Sequence, residues 1–440
     1  MTATTTRPPA SDAELGVAHR LAAAVEPFLA GEIPVRLRAW DGSESGPADA
    51  PLVELTTPDA VRRMLWRPGE LGAAQAYVTG EIEVHEDLAE ALTHAFGVLR
   101  ERGLEGQRLS PLALAGAVRT AAGLGLLGTP PPPPASQAKV TGRLHSPLRD
   151  SRAISFHYDL SNEFYSLILD ETMAYSSAYW TSDDPSYSLA DAQRDKLSLV
   201  CRKVGLEPGM TFLDVGCGWG SLSLHAAEHF GAQVTGITIS AEQKAFIDAR
   251  VAERDLADRV EIRLQDYREV APEHELGAWD AVASIEMGEH VGERNYPTYV
   301  DVLRRAVKPG GRVLVQQMSR PGKGGGRHPG GGPFIESFIA PDMHMRPVGE
   351  TVALLEAGGL EVRDVHALRE HYVRTVAAWI ERFEAHVPRL AALVGEEVVR
   401  VWRLYLVGGM LTFRDGRMGV DQLLAVRPGA AHDVPAVRGW

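Results

Sequence analysis

Seven residues, Asp214-Val215-Gly216-Cys217-Gly218-Trp219-Gly220, hold the clearest chemical promise in this chain. Glycines at alternate positions let the backbone turn sharply and let a ligand come close to main-chain atoms. The run Thr211 to Val215 before them reads as a buried strand, and a helical pattern from about Ser221 to Phe230 follows. A glycine turn at the carboxyl end of a first strand is where open α/β sheets bind nucleotide-like ligands. The spacing is G-x-G-x-G, not the G-x-G-x-x-G of dinucleotide binders, and the acidic ribose ligand such binders carry is absent where Thr238, Ile239 and Ser240 stand. Further on, Gln265 and Asp266 close another strand, and a carboxylate there can accept a hydrogen bond from an adenine amino group.

The elements around these residues predict their placement. Strand-like runs at 233–239, 260–265, 279–285 and 312–318 alternate with helical patterns, which implies a parallel sheet covered on both faces. Leu197, Val200, Cys201 and Val204 mark one covering helix; 373–415 reads as helix and 420–426 as a last strand. The expected fold is α/β, a parallel-sheet domain over 151–440 behind a smaller α+β domain over 13–128. In the latter, Pro34 to Trp40 is strand-like and Asp87 to Leu99 helical. Residues 1–12 read as disordered. Five prolines, Pro130 to Pro134, open a linker over 129–150 that continues basic, with Lys139, Arg143 and Arg149. The glycine-rich run 322–333 reads as a loop.

Composition excludes several classes. The 440 residues carry 45 Lys and Arg against 58 Asp and Glu, a formal charge of −13, so nucleic acid is not an expected partner. Two cysteines, Cys201 and Cys217, make no disulfide framework and suit a reducing cytoplasm. The opening residues lack the regions of a signal peptide. The most apolar segment, Leu112 to Gly128, contains Arg119 and glycines and reads as a core or amphipathic helix, not a span. The histidines lack zinc spacing, so no metal is expected.

Asp-x-Gly-x-Gly-x-Gly resembles motif I of S-adenosylmethionine methyltransferases. His157-Tyr158-Asp159-Leu160-Ser161-Asn162-Glu163-Phe164-Tyr165 and Met173-Ala174-Tyr175-Ser176-Ser177-Ala178-Tyr179-Trp180 are similar to signature segments of the cyclopropane-fatty-acyl-phospholipid synthase family. So are Gly236 to Gln243, Gln265-Asp266-Tyr267-Arg268 and Glu286-Met287-Gly288-Glu289-His290-Val291-Gly292. The resemblance runs from about 150 to 428 and, more weakly, over 15–100, and it implies a seven-stranded class I methyltransferase (Rossmann-like) fold for the 151–440 domain. It implies that Tyr175 and Ser176 hold the methionine end of S-adenosyl-L-methionine. Asp214, Gly216, Gly218 and Gly220 would form its glycine turn, Thr238 and Gln243 would reach the ribose, and Gln265 and Asp266 would meet the adenine. It places Glu289, His290, Tyr372, Ser177 and Gln316 in the catalytic pocket, where the family holds a bicarbonate ion as base. Two positions depart from the family: Ser177 stands where cysteine is common and Gln316 where histidine is common.

The reaction so implied begins with an alkene, a weak nucleophile, taking a methyl group and leaving a carbocation on the acyl chain. The site must exclude water. Aromatic faces such as Tyr158, Tyr175, Tyr179, Trp180 and Tyr372 can stabilise a cation by about 0.5–2 kcal/mol each. A base then removes a proton; direct ring closure gives a cyclopropane, and a prior hydride shift gives an exocyclic methylene. The altered base cradle at Ser177 and Gln316 favours the methylene product, a 10-methylene chain for example. The expected substrate partner is unsaturated phospholipid in a membrane, met by a cytoplasmic enzyme peripheral to the inner membrane surface. The amino-terminal domain, without cofactor motifs, would serve the lipid. A homodimer is a further expectation, as is a separate reductase for a methylene product, since no nicotinamide or flavin motif is present. The competing readings are a cyclopropane former, a non-catalytic lipid-binding protein and a small-molecule methyltransferase.

Overall fold

The structure, a computed structural model, describes residues 15–104, 111–138, 160–322 and 329–440. The expected disordered segment 1–12, the basic stretch 139–150, residues His157 to Asp159 and half of the glycine-rich run 322–333 lie outside the described residues. The chain divides into two compact units, Met1–Gln137 with Glu396–Leu404, and Ala138–Gly395 with Tyr405–Trp440.

In the first unit the strands β1 (Arg36–Arg38), β2 (Glu44–Ser45), β3 (Leu52–Leu55) and β4 (Ile82–Val84) form a sheet in the order β2-β1-β3-β4. Its core gathers Leu21, Leu55, Ala60, Val61, Ala76, Ala121 and Leu126. The helix Leu88–Glu101 starts where Asp87 accepts from the Glu90 N–H at 2.9 Å, an N-cap that satisfies an otherwise orphan donor. Arg119 is exposed on the helix Pro111–Gly123, with Ala121 in the core.

The proline run is more than a spacer. Prolines donate nothing but keep their carbonyls, and Pro132 O accepts from Arg63 Nη1 at 2.7 Å. Gln137 pairs with Gln75 at 2.7 Å, so the stretch up to that residue is held on the first unit. The predicted helix over 373–415 is three helices, Arg369–Ala385, Val387–Val394 and Glu396–Arg414. Pro388 near one junction and Gly395 at the other, with φ 83°, separate them. Residues 396–404 join the first unit through Arg400, which donates to Tyr77 O at 2.6 Å and Ile82 O at 2.7 Å and pairs with Glu83 at 3.0 Å.

In the second unit, β5 (Thr211–Val215), β6 (Gln233–Thr238), β7 (Val260–Leu264), β8 (Trp279–Ile285), β9 (Val307–Ser319), β10 (Glu361–Ala367) and β11 (Gly419–Val426) make a seven-stranded sheet. Its order is β10-β11-β9-β8-β5-β6-β7, with β11 antiparallel to both neighbours and the remaining pairs parallel. Side chains alternate across the sheet. Phe212 packs in one core with Leu197, Val200 and Leu222, while Leu213 and Val215 pack in the other with Tyr299 and Leu303. The helix Leu189–Val204 opens with a Ser188–Asp191 capping box and ends at left-handed Gly205. Six strands answer to the sequence pattern. The seventh, β10, carries mostly polar residues with no buried face, so it offered no hydrophobic signal.

Replacing Arg400 by alanine strands the Tyr77 and Ile82 carbonyls and Glu83. It should destabilise the protein by about 1–3 kcal/mol in urea unfolding.

Candidate active site

Four consecutive parallel strands, β5 to β8, hand the loops after their carboxyl ends to one cleft, lined by Gly216, Gly218, Thr238, Asp266 and Glu286 among others. The chain order reverses between β5 and β8, the switch point where such sheets open a crevice. The glycine turn is pinned at its start, where the Gly216 and Cys217 N–H groups both donate to Ile237 O, at 3.1 and 2.9 Å. Its three glycines have φ of 79°, 55° and 80°, in the left-handed region. They differ in what surrounds them. A Cβ on Gly220 would lie 2.8 Å from Ile247, whereas one on Gly218 would meet no protein atom within 4 Å. Gly218 therefore borders ligand space, and Gly220, which is not on the cleft wall, serves helix packing.

Nine of the ten expected cofactor residues line the cleft, Gly220 being the exception. Asp214 is buried and accepts from Ser223 Oγ at 2.7 Å; burial pushes its carboxyl up to about 6. Thr238 Oγ1 donates to Gln243 Oε1 at 2.7 Å, which turns the glutamine amide NH₂ away from that bond. Gln265 Nε2 donates to Glu269 O at 3.0 Å. Asp266 is already engaged by Arg268, at 2.8 Å from Nε and 2.9 Å from Nη2, and retains lone pairs for an adenine amino group. Gln193 holds the 174–176 loop, donating to Ser176 O at 2.9 Å, and Lys196 Nζ donates to Ser176 Oγ at 2.9 Å. Burial lowers the Lys196 ammonium to about 8, against the opposing pull of Glu286, Asp170 and Asp214. Neither Gln193 nor Lys196 was foreseen; their helix reads as an ordinary amphipathic one.

At the cleft wall three of the five expected catalytic residues converge on one that was not among them. Glu286 Oε1 accepts from the Ser177 N–H at 2.9 Å and from Gln316 Nε2 at 2.8 Å, and its Oε2 accepts from Tyr372 OH at 2.9 Å. Ser177 takes part through its backbone; its hydroxyl donates to Ala178 O at 3.1 Å. Glu289 stands apart from this cluster's hydrogen bonds. It is 1% exposed, takes the Met318 N–H on Oε1 at 2.7 Å, and leaves Oε2 buried without a partner. Burial and the charge of Glu286 push its carboxyl up to about 8. His290 lines the cleft.

Aromatic rings wall this region. Tyr175 lies 5.3 Å from Trp379 between centroids, Tyr372 lies 5.9 Å from Trp379 and 4.5 Å from Phe413, and the hydroxyls of Tyr175 and Tyr405 are 2.9 Å apart. Tyr179 stacks instead on His371, and Trp180 is held by Thr375 and under Arg374. Trp379, Tyr405 and Phe413 lie on helices whose spacing reads as core, so nothing local marked them.

The cleft suits S-adenosylmethionine: a ligand-facing glycine turn, neutral donors and acceptors at Thr238 and Gln243, and carboxyl groups at Asp214 and Glu286 on its wall that suit a cationic ligand. It does not suit a bicarbonate ion on Ser177, Gln316 and Tyr372, because the Glu286 carboxylate already takes all three donors.

Comparison with known proteins bears on the same residues. Residues 145–423 match the family model described as mycolic acid cyclopropane synthetase. A probable fatty acid methyltransferase of Pseudomonas putida is 36% identical over 92% of this chain and 95% of its own length. The cyclopropane-fatty-acyl-phospholipid synthase of Escherichia coli K12 is 33% identical over 82% of this chain and 83% of its own. Among solved structures, mycolic acid cyclopropane synthase CmaA1 complexed with SAH and CTAB superposes with a TM-score of 0.57 at 30% identity, covering 63% of this chain and 98% of that one.

Two outcomes follow from the site's geometry. Gly218→Ala should stay folded and lose roughly tenfold or more in cofactor affinity by calorimetry, whereas Gly220→Ala should lose about 1–3 kcal/mol of stability by overpacking against Ile247. For Glu289, the raised carboxyl means that the folded state keeps a proton which the unfolded chain releases between about pH 4.5 and 8, so its contribution to stability falls as pH rises through that window. Glu289→Gln keeps the protonated shape, so its melting temperature relative to the parent should climb from about pH 5 to about pH 8 in scanning calorimetry. A difference independent of pH would mean that Glu289 is ionised in the folded protein.

Proposed function

Since the chain belongs to the mycolic acid cyclopropane synthetase family and is an S-adenosylmethionine-dependent methyltransferase acting on lipid fatty acids, we propose that its substrate is the double bond of an unsaturated phospholipid acyl chain and that its product is methylene-branched. The observation that carries this reading is the half-buried carboxylate Glu286 set among Tyr372, Tyr175 and Trp379 on the wall of the glycine cleft. When bound, S-adenosylmethionine supplies a methyl group to one alkene carbon, which leaves its neighbour a cation. Everything else falls to the protein. The ring faces offer electron density to that cation and exclude water that would capture it. Tyr175 and Ser176 stand at the cleft wall, where the methionine end would be held, and Thr238 and Gln243 where the ribose would be.

The preference for a methylene product rests on the base cradle. Ser177 and Gln316 replace the common cysteine and histidine, and they orient an acceptor through a main-chain N–H and an amide. A base held differently gives time for a hydride shift before proton loss. The first unit, which carries no cofactor motif, would present the lipid. Among the described residues no helix is long and apolar enough to cross a membrane; in this reading the enzyme meets the acyl chain at a bilayer surface. A separate reductase would be needed to saturate a methylene product.

The test is incubation with S-adenosylmethionine and oleoyl phospholipid vesicles, followed by mass spectrometry and proton NMR of the product. The expected product is one methylene unit heavier and shows vinylidene protons. High-field cyclopropane protons without vinylidene signals would reverse the product assignment and leave the substrate assignment standing.

A further inference from the structure

The three donors expected to cradle a bicarbonate ion come from separate elements: Ser177 from the loop before the helix Leu189–Val204, Gln316 from β9, and Tyr372 from the helix Arg369–Ala385. All three end on Glu286. A fourth residue fixes the arrangement. Gln422 on β11 lies opposite Gln316 in register and donates its Nε2–H to Gln316 Oε1 at 2.9 Å, which leaves the Gln316 NH₂ to face Glu286. The backbone at Glu286 is unusual as well. Its φ is 50°, a conformation that side-chain-bearing residues rarely adopt and that persists where surrounding contacts dictate it. Of the cradle residues and the two carboxylates beside them, Glu286 is the one that also lines the cofactor cleft.

We infer that Glu286 is the catalytic base of this chain, its own carboxylate standing where the family resemblance implied a bicarbonate ion, so that turnover needs no bicarbonate. The inference rests on the methyl-transfer reading above. In the step assigned to it, once a hydride shift has moved the positive charge to the carbon bearing the new methyl, a C–H bond of that methyl breaks. Its electron pair becomes the second bond of the exocyclic carbon–carbon double bond and cancels the positive charge, and the proton goes to a Glu286 oxygen. The protonated carboxyl returns that proton to water when the cleft next opens to solvent. The three donors serve a second purpose. A bare carboxylate beside a carbocation would add to it and form an ester, and hydrogen bonds on both oxygens weaken that attack while leaving lone pairs for a proton. Burial raises the Glu286 carboxyl above its usual value, which makes it a better base than an exposed carboxylate. Gln422 acts through Gln316 and is a positioning residue.

The first measurement uses the unaltered enzyme on oleoyl phospholipid vesicles with S-adenosylmethionine, in buffer stripped of carbon dioxide and then with added bicarbonate. Equal rates are expected; a rate that depends on bicarbonate overturns the inference and leaves the methyl-transfer reading intact, whereas no lipid product under either condition overturns that reading. The second uses two variants, with S-adenosylhomocysteine affinity by calorimetry as the check on folding. Glu286→Gln keeps the cradle filled, so kcat should fall by about a hundredfold or more with or without bicarbonate. Glu286→Gly empties the cradle and suits the positive φ; it should be equally slow in stripped buffer and recover with added bicarbonate or formate. A Glu286→Gly enzyme as fast as the parent in stripped buffer overturns the inference.

Discussion

A carboxylate drawn partly out of water keeps its charge only if hydrogen-bond donors replace the water it loses, and in this protein that requirement organises the catalytic end of the sheet. Glu286 follows β8 directly and takes donors from a loop, from β9 and from a helix that follows β10 in the chain. Removing one partner would leave a desolvated charge or dipole, which costs more than the bond itself contributes. The register of β9 with β11, which sets Gln316 against Gln422, is thus tied to the orientation of one side chain in the site. Through Ser177 the same carboxylate holds the loop that carries Tyr175 and Ser176 to the cofactor cleft.

The two carboxyls of the 286–292 segment divide by environment. Glu286 has three donors and opens on the cleft; Glu289 has the Met318 N–H alone and a buried, unpaired oxygen. Two buried like charges this close raise each other's proton affinity. The better solvated of the pair keeps its charge more readily, and the hydrogen bonds select Glu286 for that part. Arg346, which lies over the Tyr296 ring at 3.9 Å, opposes the rise of the Glu289 carboxyl through its charge.

Methyl transfer to an alkene asks for a place that is dry yet able to bear positive charge. Aromatic rings meet both demands, because their faces are electron-rich and their bulk excludes water. Tyr175, Tyr372, Trp379 and Phe413 come from three stretches of chain, and the tilted and edge contacts among them keep the ring edges as well as the faces available. In the cleft beside them glycine at 216 and 218 leaves room that a side chain would fill.

The sequence by itself determined what depends on local pattern. Strand runs, helix caps and the glycine turn are decided within a few residues, so six strands of the large sheet and nine cofactor-cleft residues were legible before the fold was known. Gly220 was legible as part of the motif but not as a packing residue, because Ile247 meets it only after the sheet forms. The edge strand β10 escaped because it buries no continuous face, and Arg400 because its partners lie over three hundred residues away. The choice of base was decided by tertiary structure alone. Glu286 and Glu289 stand three positions apart in one segment, and the sequence offers no reason to prefer the former. The preference arises because hydrogen-bond donors from distant parts of the chain converge on one carboxylate and leave the other nearly bare, and convergence of that kind is a property of packing, not of pattern.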